Sequence, residues 1–231
     1  DDSPWMIAAM AGLEPQHPPG YPFFTLLGRA WLTLPLGGPG YRTALLAVML
    51  MALTTTMAGT LARDLAVRSG GSPAVAQVAG AVMLTVAWTA WSQALTAKGG
   101  VYGLNLVFVL FLALAAIRGR SGPLEAGLTT GLGLAHHWMS IVITAPLLLI
   151  PLLSVAGWRR RAARATVFAI LGASTYLFLP LRAGYGYVNW GDPRTAGRFV
   201  SVVSRDQYRQ PGASSQTALR RRVDHAANVG R

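Results

Sequence analysis

An all-α, polytopic membrane bundle is the fold class this sequence predicts, and three observations carry it. Of 231 residues, 52% are hydrophobic and only 12% charged, against about 25% charged in ordinary soluble domains. Uncharged apolar windows recur through the middle of the chain, each near the ~20 residues a helix needs to cross a hydrocarbon core of roughly 30 Å. Short arginine-bearing connections separate them, as in a chain threading a bilayer. The net charge of +12 would suggest nucleic acid in a soluble protein. Here part of the arginine sits in those connections, so topology accounts for it and no nucleic-acid partner is expected. The sequence has no cysteine, which removes disulfides and thiolate metal sites.

Residues 1–43 read as a polar-to-amphipathic external loop. Ser3 before Pro4 suits a helix N-cap and first helical position, predicting a short helix over 5–10 with Asp1 and Asp2 at its positive end. Pro18-Pro19-Gly20 ends any helix. A second short helix, 23–34, carries Arg29 among aromatic and leucine residues and is placed along the interface. Residues 44–181 hold six candidate spans, at 44–61, 74–97, 101–117, 124–139, 140–157 and 165–181. Eight arginines occupy the first, third and fifth connections (Arg63, Arg68, Arg118, Arg120, Arg159, Arg160, Arg161, Arg164), whereas the second has only Lys98 and the fourth no Lys or Arg. The positive-inside rule therefore makes the odd connections cytoplasmic. The window Leu124–Gly157 lies between arginine-rich flanks, so it needs an even number of crossings: two short spans turning near 137–141, or a re-entrant pair. Residues 182–231 form an external tail with nine of the twenty basic residues, an excess that long translocated segments tolerate.

Several side chains could carry chemistry. Asp1 and Asp2 are candidates for a general base or for metal ligands, set against a plain solvated cap pair. His17, between Gln16 and two prolines, sits in a stiff turn from which it could reach a phosphate or the acidic pair; an ordinary turn histidine fits equally. His136 and His137 stand at the outer end of a span, where one must face protein or water. The histidines have no i, i+4 pair and no cysteine beside them, so a zinc site among them is not expected. Arg182, directly after the last apolar run, could grip a phosphate bidentately or snorkel to headgroups. In 186–194, Asn189, Trp190 and Asp192 combine aromatic, amide and acidic groups as sugar-binding surfaces do, and as interfacial anchors do. Glu125 reads as a helix-start residue. No phosphate-cradling glycine loop or nucleophile elbow is present, so an ATP-driven pump or serine hydrolase has no support.

Asp2-Ser3-Pro4, His17-Pro18-Pro19-Gly20-Tyr21-Pro22 with Leu26-Leu27-Gly28-Arg29, Gly133-Leu134-Ala135-His136-His137 and Asn189-Trp190-Gly191-Asp192-Pro193 together resemble the membrane O-mannosyltransferase family of plexin-type receptor mannosyltransferases and bacterial homologues. The resemblance implies the GT-C glycosyltransferase fold, a donor made of a sugar on a lipid phosphate, and an acidic residue in the first external loop. It also implies one span before Asp1, several after Arg231, and a bacterial plasma-membrane protein; with the odd connections cytoplasmic, the opening loop, the turn at His136-His137-Trp138 and the tail after Arg182 would face outside. The family glutamate two residues after the serine is Trp5 here, leaving Asp1 to substitute for it. The resulting expectation is transfer of a mannose-like sugar from a polyprenyl phosphate to a hydroxyl on protein or glycan. Asp2 would be the base with Asp1 in support; His17, His136, His137 and Arg182 would face the donor phosphate; Tyr21, Asn189, Trp190 and Asp192 would meet acceptor or sugar. The scheme requires no cofactor beyond the lipid-linked sugar and leaves metal open. The alternative is a transporter or lipid-carrier flippase without transferase activity, whose polar groups would lie near the bilayer midplane.

Overall fold

The computed structural model describes residues 2–119, 122–154, 156–186 and 189–208, and every element among them is helical. The opening loop folds into α1 (Ser3–Gly12) and α2 (Pro22–Trp31). Asp2, rather than Ser3, is the cap of α1, with Ser3 and Pro4 inside its first turn; proline is tolerated there because its missing N–H would have no helical partner. The two helices cross where Gly28 leaves room for Met10, a Cβ at Gly28 falling 2.7 Å from Met10 Cγ. The carbonyls that the end of α1 leaves unpaired are taken by two arginines from distant parts of the chain. Arg29 donates to Ala11 O at 2.9 Å, and Arg182 donates to Gly12 O at 2.9 Å and Leu13 O at 2.8 Å.

The membrane body begins with α3 (Pro39–Ser69), whose 31 residues reach about 46 Å at 1.5 Å per residue, so Arg63 and Arg68 lie on the helix itself. Next come α4 (Pro73–Val86) and α5 (Trp88–Ala94), a pair bent by 64° where one span over 74–97 was expected. α6 (Gly99–Arg118) is straight enough to cross by itself. α7 (Pro123–Leu153) breaks at His137, whose φ of −146° and ψ of 76° are not helical. α8 (Trp158–Ala173) continues through a 3-10 turn (Ser174–Leu177) into α9 (Phe178–Arg182). After the turn at 189–195, α10 (Ala196–Ser204) packs back. By length and composition three helices among the described residues can cross a membrane, α3, α6 and Trp158–Arg182, and a fourth if the bent α4–α5 pair is one span.

α7 is two arms. Ile141 Cδ1 lies 2.7 Å from a Cβ placed on Gly133, although residues eight apart in a straight helix are about 12 Å apart. The first arm runs parallel to α8, because Gly127 packs on the backbone at Ala165 and Gly131 on that at Ala169. For α8 to start at the same end as the first arm, the chain must return between His137 and Trp158, and the second arm makes that return. Gly127 and Gly131, four residues apart, let the backbones meet, which is how helices pack in lipid, where apolar burial gives no drive. α4 has no buried residue, and Val75, Val78, Val82, Met83 and Val86 are all exposed; such a face suits lipid as solvent.

The core lies beneath the opening loop: Met6 and Met10 of α1, Phe24 of α2, Leu46 and Leu50 of α3, Val101, Leu104, Phe108 and Leu112 of α6, and Ile141 of α7. Two ion pairs mark its opposite ends. Asp2 meets Lys98 before the first turn of α6, and Asp64 meets Arg118 at its last residue, each at 2.6 Å. Twenty helical residues, about 30 Å, separate them.

Candidate active site

The site is built at the Lys98 end. The cap position of α1 turns the Asp2 carboxylate toward α6, where Lys98 Nζ donates to Asp2 Oδ2 at 2.6 Å and Lys98 N donates to Ser3 Oγ at 3.2 Å. The side chains remain 43% and 33% exposed. The lysine hydrogen bond holds the Asp2 carboxyl below the ordinary carboxylate range and raises Lys98 in return.

The His17-Pro18-Pro19-Gly20-Tyr21 turn supplies the next wall. Gly20 takes φ +98°, and a side chain there would meet Leu179 at 2.8 Å, so only glycine fits. Tyr21 follows at φ 40°, turning its ring under His17 at 5.2 Å between centroids. His17 Nε2 stands 3.6 Å from Asp2 Oδ2, an electrostatic neighbour beyond hydrogen-bond length. Burial lowers the pKa of His17; Asp2 opposes that shift, and Lys98 and Arg205 add to it. Its Nδ1 is buried with no partner among the described residues. Tyr21 is nine-tenths out of solvent or more, and burial pushes its phenol well above the usual range.

The α7 break supplies the floor. His136 is fully buried, ringed by Tyr21, Phe24 and Phe108, with Nε2 2.8 Å from Val101 O. A carbonyl only accepts, so that nitrogen carries the proton, and the bond pins the break to the first turn of α6. His137 stacks on Tyr21 at 6.4 Å and bonds Ser140 Oγ through Nδ1 at 3.1 Å, while Asn105 of α6 donates to that same oxygen at 3.2 Å. Trp138 Nε1 donates to Val203 O at 2.8 Å, drawing α10 over the break.

The structure thus gathers Asp2, His17, Tyr21, His136 and His137, with Trp190 edge-on to His17 at 6.4 Å. It engages the remaining candidates elsewhere. Arg182 is committed to the end of α1. The Asp192 carboxylate is clasped by Arg194 at 2.7 and 2.8 Å, by Arg198, and by Asn189 at 3.2 Å; the Arg194 bond foremost holds it down to about 2. Asn189 and Asp192 build the corner that presents Trp190. Asp1 lies outside the described residues. Among those described, no group of three His, Asp or Glu side chains could hold a metal.

Sequence reasoning missed two cations of the site and one buried carboxylate. Lys98 registered only as the lone charge of a connection, although it is the only lysine in the sequence. Arg205 was one arginine among nine in the tail; it ends α10 in a left-handed conformation (φ 62°), with its guanidinium on Met139 Sδ at 3.7 Å and over Tyr208 at 5.0 Å. Its charge is felt by His17, Tyr21 and His137 alike. Glu14 is buried against Gly12 and Gly186, a position with no local sequence signal.

Comparison with known proteins follows the same residues. The family model described as the Protein O-mannosyl-transferase TMEM260 N-terminal domain matches residues 2–161, a range that opens on Asp2 and includes His17, Tyr21, Lys98, His136 and His137. The mouse Protein O-mannosyl-transferase TMEM260 is 30% identical over 223 residues, spanning 90% of this chain. The chain covers 31% of that relative's length. No solved structure matches the chain.

Proposed function

Because this chain belongs to the TMEM260 N-terminal-domain family of protein O-mannosyl-transferases, we propose that it carries the base and part of the donor site of a GT-C-type glycosyltransferase. The enzyme transfers a mannose-like sugar from a polyprenyl phosphate to a hydroxyl of a protein or glycan. The observation that carries this reading is the convergence of Asp2 with His17, Tyr21, His137 and Trp190 at one end of the helix bundle.

Asp2, ionised and half-exposed, accepts the proton of the acceptor hydroxyl as its oxygen bonds to the sugar's anomeric carbon. The bond from that carbon to the phosphate oxygen breaks, and its electron pair leaves with the lipid phosphate. Positioned proton removal is worth about 10²- to 10⁴-fold in rate. His17, His137 and Arg205 face the charge developing on the phosphate, and the accessible ring of Trp190 offers a flat surface to a sugar, while Tyr21, expected to meet acceptor or sugar, is buried and backs the site. The donor's tail stays in lipid while its headgroup reaches the loop. Orientation follows from charge: Arg63, Arg68, Arg118 and the 159–164 cluster are at the far end from Lys98, so the site end is external.

The test is sugar transfer by the full-length protein from labelled polyprenyl-phosphate mannose to a hydroxyl acceptor. Asp2→Asn is expected to lower the rate about 10²-fold or more. Undiminished transfer in Asp2→Asn with Asp1→Asn would overturn the assignment of the base.

A further inference from the structure

We propose that Lys98 is the donor-phosphate ligand and that it changes partner: its ammonium, paired with Asp2, moves to the lipid phosphate when donor binds, releasing the carboxylate to act as base. This inference rests on the transferase reading above and adds to it an order of events and a residue.

Three features of the molecule carry it. The chain uses arginine at every basic position except this one. Arginine's planar fork fixes its partners, whereas a lysine ammonium is a compact charge on a flexible stem that can be redirected. The opening loop, moreover, does not depend on the ammonium for its attachment. The Lys98 backbone N–H bonds Ser3 Oγ, Arg29 and Arg182 hold the far end of α1, and Met6 and Met10 are buried in the core. The side chain can therefore leave Asp2 without releasing the loop, and a half-exposed ion pair is weak enough to exchange.

Among the described residues, the other cations at this end are spoken for. Arg29 and Arg182 cap α1, Arg42 donates to the carbonyls of Leu32, Leu36 and Gly37, and Arg194 and Arg198 hold Asp192. Among the described residues, Lys98 and Arg205 remain near His17, which feels both charges, and a hydrogen-bond partner of the Arg205 guanidinium is the Met139 thioether. While paired with Asp2, Lys98 uses one lone pair of the carboxylate and favours its charged form, which makes it a poorer proton acceptor. A phosphate diester between Lys98 and Arg205 supplies the competing negative charge. Asp2 then regains its proton affinity only when a donor is present.

The experiment titrates the full-length protein in lipid nanodiscs with polyprenyl phosphate, and with polyprenol and inorganic phosphate as comparisons, reading binding by native mass spectrometry. Polyprenyl phosphate is expected to bind at least tenfold tighter than either comparison. Lys98→Gln should weaken it at least tenfold, whereas Asp2→Asn should tighten it severalfold, because the lysine then has no carboxylate to leave. Unchanged binding in Lys98→Gln overturns the proposal, as does weaker binding in Asp2→Asn, which would make the pair a structural brace. Inorganic phosphate binding as tightly as the lipid would also overturn it. The Asp2→Asn sign decides the matter even where Lys98→Gln does not fold. A protein that shows both signs but transfers no sugar keeps the exchange of Lys98 from Asp2 to the lipid phosphate and sinks the transferase reading.

Discussion

At the scale of single residues, the site works by assigning different environments to groups that the sequence presents as equals. His136 and His137 are adjacent, yet one is sealed among Tyr21, Phe24 and Phe108 and serves the α6 backbone, while the other stacks on Tyr21 beside Arg205. Two loop groups whose pKa values are both depressed in the fold give a pH prediction. The Asp2 pKa is depressed in the fold, so its contribution to stability is present above the unfolded value near 3.9 and is lost as pH falls through the lower folded value. His17 is also depressed, by burial; its contribution is complete above about 6.5, declines as the unfolded chain protonates first below that pH, and levels off beneath the folded value. Thermal stability should therefore begin to fall below about pH 6.5, and replacing His17 by Gln should flatten that first decline while leaving the acid one near pH 4 and below. A stability profile unaltered between pH 7 and 5 by His17→Gln would contradict the burial argument.

Among elements, close backbone approach decides what stays together. The α7–α8 contact depends on Gly127 and Gly131, where a Cβ would strike the backbone of Ala165 and Ala169. Backbone cannot move aside as a flexible side chain can, and overpacking a tight contact typically costs 1–3 kcal/mol, roughly. Gly131→Val should lower the thermal midpoint and reduce transfer, because α8 leads through α9 to Arg182 at the end of α1. Gly197, on α10, has open space around its Cβ position, so Gly197→Ala should be neutral or stabilising by about 0.5–1 kcal/mol. Equal effects of the two substitutions on a thermal unfolding curve would show that the α7–α8 crossing does not have this geometry. The break at His137 falls within the 137–141 window in which the arginine flanks require a turn. The bend between α4 and α5 had no such flag, since the uncharged run over 74–97 reads as unbroken and Ala87, where it bends, is neither proline nor glycine.

For the whole molecule, the ion pairs Asp2–Lys98 and Asp64–Arg118 lie about a bilayer core apart, and the opening loop, the α7 break and α10 all sit at the first of them. Because the chain has no cysteine, single cysteines report sidedness without background. Thr195→Cys and Thr33→Cys should react with an impermeant maleimide added outside intact cells, and Ser69→Cys only after permeabilisation; labelling of Thr195 and Ser69 from the same side would refute the orientation. The sequence by itself determined the helical membrane class, the approximate windows of α3, α6 and Trp158–Arg182, and the family, because apolar length and arginine spacing are local properties that survive any packing. It also marked Asp2, His17, His136 and His137, whose turns and motifs are contiguous. Only the tertiary structure decided that Lys98 faces Asp2 from 96 residues away, that Arg182 caps a helix 170 residues earlier, and that Asp192 is consumed by its own arginines. Those outcomes depend on which helix ends meet, and in lipid that is settled by glycine contacts and pairwise hydrogen bonds between elements, which no window of sequence contains.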